Sequence, residues 1–428
     1  MIYYLATEHA LYTLLKFLEL WQDRLGRRLI PVSYRRLLQL KDFPAGTYIF
    51  SDLDRLTGEQ AERVTGLWKQ LSRSGRNRLL NHPTRSMQRY ALLRHLHKRR
   101  SNQFNVYILS KCRAPAAFPV FIRFANRHNG AISSLLRSQT ELDQAVEGIL
   151  KSGEGLEDKL MIEFCDTADK RGIFRKYSAY LIGEQIIPSA LLFRPDWHVK
   201  HSTLPLAEEL HVEKVEYLKT NPHEKELREI FQAAGIDYGR IDYAIRDGRI
   251  QTWEINTNPD ISSLCTKKLD PWNVVDGIPT TQYLSQKFLR AFEALDGLEV
   301  GPDCALRFWH LNKTEEILSA FEQCVPIGAR VLWVDGPEAC GLGNRILERQ
   351  LIPFPGQDGP SGGTPANDEA AIHELARLQK DGADFLVFTW PSFWWFEYYP
   401  RFFQYLQSRF SFPVQQELVS ICDLRMRR

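Results

Sequence analysis

The chain has 428 residues with 55 Lys and Arg against 52 Asp and Glu, a formal charge of +3, and is 44% hydrophobic. That near balance gives no electrostatic reason to expect nucleic acid or an anionic membrane surface as the main partner, and the length allows roughly two to four structural units. Its seven cysteines are scattered without a C-x-x-C pair, which indicates neither a disulfide framework nor a zinc site.

The opening MIYYLATEHALYTLLKFLEL is interrupted by Glu8, His9 and Lys16 and lacks a basic leader and a small-residue cleavage site. No run of about eighteen uninterrupted apolar residues occurs, so the expectation is a cytoplasmic protein with no signal peptide and no membrane span. Residues 1–80 read β-α-β-α-β, with strands at 1–6, 46–51 and 78–81 and helical patterns at 8–25 and 58–74. Such alternation predicts a small parallel sheet. SDLDRL, after the strand YIF, reads either as a ligand-facing loop or as a helix-capping one.

Residues 81–298 read as α+β with mainly antiparallel strands. A basic amphipathic helix at 83–98 is followed by a strand at 118–124 and the loop ANRHNGAISSLL, a helix at 140–151 and a strand at 159–164. Strands 174–182 and 185–193 are joined through Gly183-Glu184, and a helix at 222–234 precedes GRIDYAIRDGRIQTWEINTNP. In that stretch the alternation of 240–246 and 249–255 around Asp247-Gly248 predicts a hairpin with a type I′ turn. Antiparallel pairing then brings Asp242 near Glu254 and Asn256, which share a face because they are two apart. Two carboxylates and an amide, with no His or Cys among them, suit Mg²⁺, which shares its coordination with substrate phosphates.

After an irregular stretch and a helix at 282–295, GLEVGPD marks a joint. A third unit then begins near 326, with strands at 329–334, 384–388 and 418–423 and a helix at 368–380. The Gly and Pro of LIPFPGQDGPSGGTPAND predict a long loop without regular structure. TWPSFWWFEYYPRFFQYL reads as core packing or as an aromatic docking wall. The fold class expected is therefore a multidomain chain of α/β and α+β units: an N-terminal domain at 1–80, a central domain at 81–298 and a three-layer α/β module at 325–428.

The order of these elements, with D-x(11)-E-x-N in GRIDYA and EINTNP, resembles the ATP-grasp superfamily over about residues 80–262. The resemblance implies that ATP and Mg²⁺ bind, with Asp242, Glu254 and Asn256 as metal ligands. PVFIRFANRHNGAISSLL looks like the family's phosphate-binding strand and loop, with Arg123 where a Lys is usual and Gly130 as the loop's glycine; His128 is a further donor there or a surface residue. KLMIEFC would put Glu163 and Phe164 near the adenine, or Glu163 faces outward from an ordinary strand. Arg89 is the nearest match to a Lys that reaches the nucleotide, or belongs to a solvated helix face.

Arg175 and Lys176 would present a cation to the γ-phosphate or to a substrate carboxylate. They are adjacent on a strand and point to opposite sides, and Arg175 is favoured because it shares a face with Tyr177 and Ala179. Trp197 and Lys200 would close over the substrate, or Lys200 is a solvated loop lysine. The implied activity is a ligase that activates a small-molecule or peptide carboxylate for attack by an amine; a phosphotransferase acting on a hydroxyl and a nucleotide-binding scaffold without turnover are the alternatives. The C-terminal module resembles those appended to bacterial glycosyltransferases, which implies a protein or glycan-pathway partner.

Overall fold

A computed structural model of the chain describes residues 1–127, 130–198, 207–265, 274–296, 309–334, 336, 340, 342–346, 348–355 and 364–427. The fold is mixed α/β, and its internal contacts divide it into residues 1–4 with 45–300 and residues 5–44 with 301–428. The strand Ile2–Ala6 runs across that division, so residues 5–44, expected within an N-terminal domain of 1–80, group with the C-terminal segment. No helix of the described residues is long and apolar enough to cross a membrane.

In the larger unit, Thr47–Phe50 and Arg78–Leu80 pair in parallel, connected by the helix Gly58–Arg73. That helix starts at a capping box in which Thr57 and Gln60 satisfy each other's backbone N–H groups, so SDLDRL leads into a cap. Asn81, wholly buried, donates to the carbonyls of Phe50 and Tyr238 and accepts from the N–H groups of Asp237 and Tyr238. Its side chain thereby ties the parallel pair to the strand that carries Asp242.

Helix α1 (Arg89–Lys98) starts six residues later than the basic pattern suggested. Strands β1 (Val106–Ile108) and β2 (Val120–Phe124) flank β3 (Lys159–Glu163) in an antiparallel sheet of order β1-β3-β2. Helix α2 (Gln139–Lys151) is capped by Ser138 and buries Leu142 and Val146 against Val120, Ile122 and Met161 of that sheet. Leu93 of α1 packs with Phe104, Val106, Leu160 and Ile162.

A second antiparallel sheet has the order β7-β6-β4-β5, where β4 is Phe174–Ile182, β5 Gln185–Arg194, β6 Tyr238–Arg246 and β7 Arg249–Asn256. Between β5 and β6 come α3 (Glu208–Thr220), which the sequence pattern did not announce, and α4 (Glu224–Ala234). α4 ends at Gly235, whose φ of 64° is left-handed and suits a residue without a side chain.

The other unit has a five-stranded sheet in the order Gln350–Phe354, Arg330–Val334, Phe385–Thr389, Val419–Arg427, Phe410–Gln415. The first three strands are parallel and the last two antiparallel to their neighbours. The strand Gln350–Phe354 corrects the expectation that LIPF lies in an irregular loop. It is an edge strand, where a proline such as Pro353 is tolerated because one side needs no N–H donor. In the aromatic segment Trp390, Phe393, Trp395, Tyr399 and Phe402 are buried while Tyr398 is exposed, so half of these rings are wholly in the core. Cys112, Cys165, Cys324, Cys340 and Cys422 are free thiols.

Candidate functional site

The hairpin β6–β7 closes through Asp247 and Gly248, with φ of 51° and 71°, the left-handed pair that a type I′ turn requires. The turn sets Arg246 opposite Arg249, and farther out Asp242 lies opposite Glu254 and Arg240 opposite Asn256. Between Asp242 and Tyr243 the register slips, because Glu254 faces Asp242 while Thr252 faces Tyr243. Trp253 is thus the extra residue of a β-bulge, which breaks the strict alternation of faces. As a result the neighbours Trp253 and Glu254 both border one cavity.

That cavity encloses about 170 Å³. One part of its wall is apolar, formed by Leu93, Phe121, Ile162, Phe164, Trp197 and Trp253. Trp197 packs against Phe121 and Phe164 with ring centroids 5.0 and 6.1 Å apart. The other part is charged, with Arg123, Lys176, Asp242 and Glu254. An apolar slot beside a few convergent polar groups is the usual composition of a small-molecule site.

Both carboxylates are buried and both are held by cations. Glu254 Oε2 accepts from Arg123 Nη2 at 2.9 Å and also from Arg89 Nη2. Arg89 is itself fixed, donating through Nη1 to the carbonyls of Phe124, Ala125 and Arg127. Asp242 accepts from Ser178 Oγ and Arg240 Nε at 2.9 Å each and from Lys176 Nζ at 3.4 Å. Four cations therefore surround two carboxylates, an excess of positive charge that favours an anionic ligand.

The electrostatics follow from this crowding. Burial alone would raise the pKa of Asp242, but the charges of Arg240 and Lys176 outweigh it and hold the carboxyl below its ordinary range. At Arg123 burial prevails instead: with Arg89 beside it, burial lowers its pKa to about 10 against the pull of Glu254.

Of the residues expected from the sequence, Arg123, Gly130, Phe164, Arg175, Lys176, Asp242 and Glu254 border the cavity, and Arg89 reaches it through Glu254. Gly130 has a φ of 88°, a conformation that favours glycine in the loop after β2. Asn256 is buried, accepts from the N–H of Asn258 at 2.8 Å and is not among the residues bordering the cavity. Glu163 also lies off the wall. Its carboxylate accepts from Asn105 N and Tyr107 O–H at 2.8 Å and from Ala116 N and Ala117 N at 3.2 Å, which fastens the segment between β1 and β2. His128 and Lys200 lie outside the described residues.

Arg175 and Lys176, expected on opposite sides, both border the cavity but have different partners. Arg175 donates to Glu213 of α3 at 2.7 and 3.0 Å and to Asp169 at 2.8 Å, whereas Lys176 is the one that reaches Asp242. Three contributors escaped sequence reasoning: Arg240, Ser178 and Trp253. Arg240 was within reach of the spacing argument, since it stands two residues before Asp242 on the same strand face.

Among the described residues no group of three or more His, Cys, Asp and Glu is placed to hold a metal ion. The Asp242–Glu254 pair supplies hard oxygen donors next to an anion-attracting set of cations. That combination fits Mg²⁺, which keeps several waters and takes the rest of its shell from phosphate oxygens.

No family model and no curated protein matches the chain. Among solved structures it is similar to a RimK domain protein ATP-grasp from Sphaerobacter thermophilus, at 14% identity and TM-score 0.37, covering 67% of this chain and 98% of that one. A D-alanine–D-alanine ligase from Bacillus anthracis matches at 14% identity and TM-score 0.37, over 68% of this chain and 98% of that one. The macrocyclase MdnB from Microcystis aeruginosa matches at 12% and TM-score 0.38, over 67% and 98%. At such identities and TM-scores these likenesses say nothing about what this chain binds.

Proposed function

We propose that the chain is an ATP-grasp-type ligase, which uses ATP and Mg²⁺ to activate a carboxylate as an acylphosphate for attack by an amine. The observation that carries this reading is that Asp242, Glu254, Arg123 and Lys176 border one cavity beside an apolar slot, with Arg89 and Arg240 paired to the two carboxylates. Phe121, Phe164 and Trp253 offer the flat apolar surfaces that a purine needs. Arg123 binds the phosphate chain with a fork that can serve two oxygens, and Arg89 holds the Glu254 carboxylate beside it.

Asp242 and Glu254 would hold Mg²⁺, which when bound neutralises charge on the transferring phosphoryl group. Lys176, within reach of Asp242, stabilises negative charge developing at the same place. No side chain need form a covalent bond to the substrate, because positioning and charge stabilisation suffice for phosphoryl transfer. The carboxylate oxygen takes the γ-phosphoryl group and ADP leaves; the amine then displaces phosphate and loses a proton.

The test is thermal and chemical. A ligand that binds only the native state stabilises it by about 2.7 kcal/mol at a hundredfold excess over Kd, so ATP with Mg²⁺ should raise the melting temperature. No shift at millimolar nucleotide rejects the reading. With a carboxylate and an amine supplied, ADP and free phosphate mark a ligase, whereas ADP and a phosphorylated acceptor mark a phosphotransferase.

A further inference from the structure

Two register slips lie next to one another in the sheet that carries Asp242. One makes Trp253 the extra residue of β7. The other falls between Ser178 and Ala179: Ser178 pairs with Ala190 and Ala179 with Pro188, which leaves Ser189 as the extra residue of β5. Ser178 is also the direct register partner of Asp242 across β4 and β6. Two bulges thus flank a single cross-strand pair, a device that re-aims side chains where a regular ladder would not.

The hydrogen bonds at Ser178 are unusual for a strand residue. Its carbonyl accepts two side-chain hydroxyls, Ser189 Oγ at 3.0 Å and Tyr217 O–H at 2.9 Å, while its own Oγ donates to Asp242 Oδ1 at 2.9 Å. Tyr217 stands on α3 and is 2% exposed. Behind it, Tyr243 O–H donates to Tyr217 at 3.2 Å, and His223 Nδ1 lies 2.9 Å from the Tyr243 oxygen. Tyr243 has one proton, which goes to Tyr217, so His223 Nδ1 carries the hydrogen of that last contact. The chain of donors runs one way, from His223 through two tyrosines to the carbonyl of Ser178, and each link polarises the next.

We propose that Tyr217 and Ser178 are positioning residues for the Asp242 carboxylate: Tyr217 pins the backbone of β4 opposite the bulge of β5, and the Ser178 hydroxyl then turns Asp242 toward the cavity. The inference rests on the reading of Asp242 as a ligand of a nucleotide-bound divalent cation. Partners that orient a metal's ligands typically contribute 10- to 100-fold to its affinity, and neither residue needs to touch the nucleotide to do so.

The experiment measures Mn²⁺ binding to the full chain, saturated with a nonhydrolysable ATP analogue, by electron paramagnetic resonance of the free ion. Tyr217→Phe and Ser178→Ala should each weaken Mn²⁺ by about 10- to 100-fold and leave the analogue's affinity without metal unchanged, and Ser178→Thr, which keeps the hydroxyl, should recover most of the loss. A merely structural role lowers the melting temperature but leaves the Mn²⁺ dissociation constant of the folded protein alone. If the unaltered chain binds the analogue but Tyr217→Phe and Ser178→Ala both stay within twofold of its Mn²⁺ affinity, the positioning role is overturned and the ligase reading stands. If the unaltered chain binds no Mn²⁺ with the analogue present, the metal site itself falls. Where Tyr217→Phe does not fold, the Ala and Thr variants of Ser178 decide between the two.

Discussion

Asp242, buried, and His9, half-buried, both pack against other side chains, yet one is held charged and the other neutral. Asp242 lies among Arg240, Lys176 and the Ser178 hydroxyl, and these overcome the effect of burial on its pKa. His9, in the other unit, is packed by the rings of Phe393, Phe396 and Phe403 at centroid distances of 5.0, 4.7 and 6.2 Å. Its Nε2 has no hydrogen-bond partner among the described residues. Burial, reinforced by the charge of Arg35, lowers its pKa to about 4. Enclosure alone does not fix ionisation; the supply of counter-charge does, and only the region with that supply can exchange its partners for an anionic ligand.

The largest effect expected comes from disturbing the charged region. Arg89→Met removes one partner of the buried Glu254 and the donor to three carbonyls, and should cost about 3–5 kcal/mol in urea denaturation. The neutral region should respond to pH instead. The folded pKa of His9 lies below its ordinary 6.5, so between about pH 6.5 and 4 the unfolded chain binds more protons and stability falls as pH falls. That loss amounts to about 3 kcal/mol, and His9→Leu should remove this part of the slope of denaturation midpoint against pH. The contribution of Asp242 persists to lower pH, because its carboxyl titrates below the ordinary range; a single acid transition that ignored His9→Leu would erase the contrast.

Arg123→Ala should weaken ATP binding by about 1.5–3 kcal/mol in calorimetry, and Arg123→Lys should keep part of it by retaining charge without the fork. Unchanged affinity would make Arg123 a partner of Glu254 and nothing more. The smallest effect is local to the aromatic unit. Asn367 caps the helix Asp368–Lys380 by accepting from the N–H of Ala370, and Asn367→Ala should lower stability by about 1 kcal/mol in a thermal melt.

The hairpin was legible because Asp-Gly fixes the turn; counting out from it sets Asp242 opposite Trp253, and the bulge moves Glu254 into that place. Trp253 was not, since a bulge inserts a residue without marking the alternation of a strand that is already rich in large side chains. The roles of Arg175 and Lys176 could not be separated either. Both border the cavity, and what engages Arg175 is Glu213, which sits on α3, a helix of weak amphipathic pattern. The strand Gln350–Phe354 was hidden by proline, whose rule against strands relaxes at an edge. Local chemistry survived translation into structure, and what depended on a distant neighbour did not.

The bulge at Ser189 has a bearing on how the protein behaves when concentrated. β5 is an edge strand, and a regular edge offers its unpaired N–H and C=O groups as a template on which another chain can build. Here Pro188 has no N–H to offer and the extra residue beside it bends the strand out of register. An edge so interrupted is a poor seed for intermolecular β-sheet, and Pro188→Val should bring on aggregation, seen as light scattering, at concentrations that the unaltered chain tolerates.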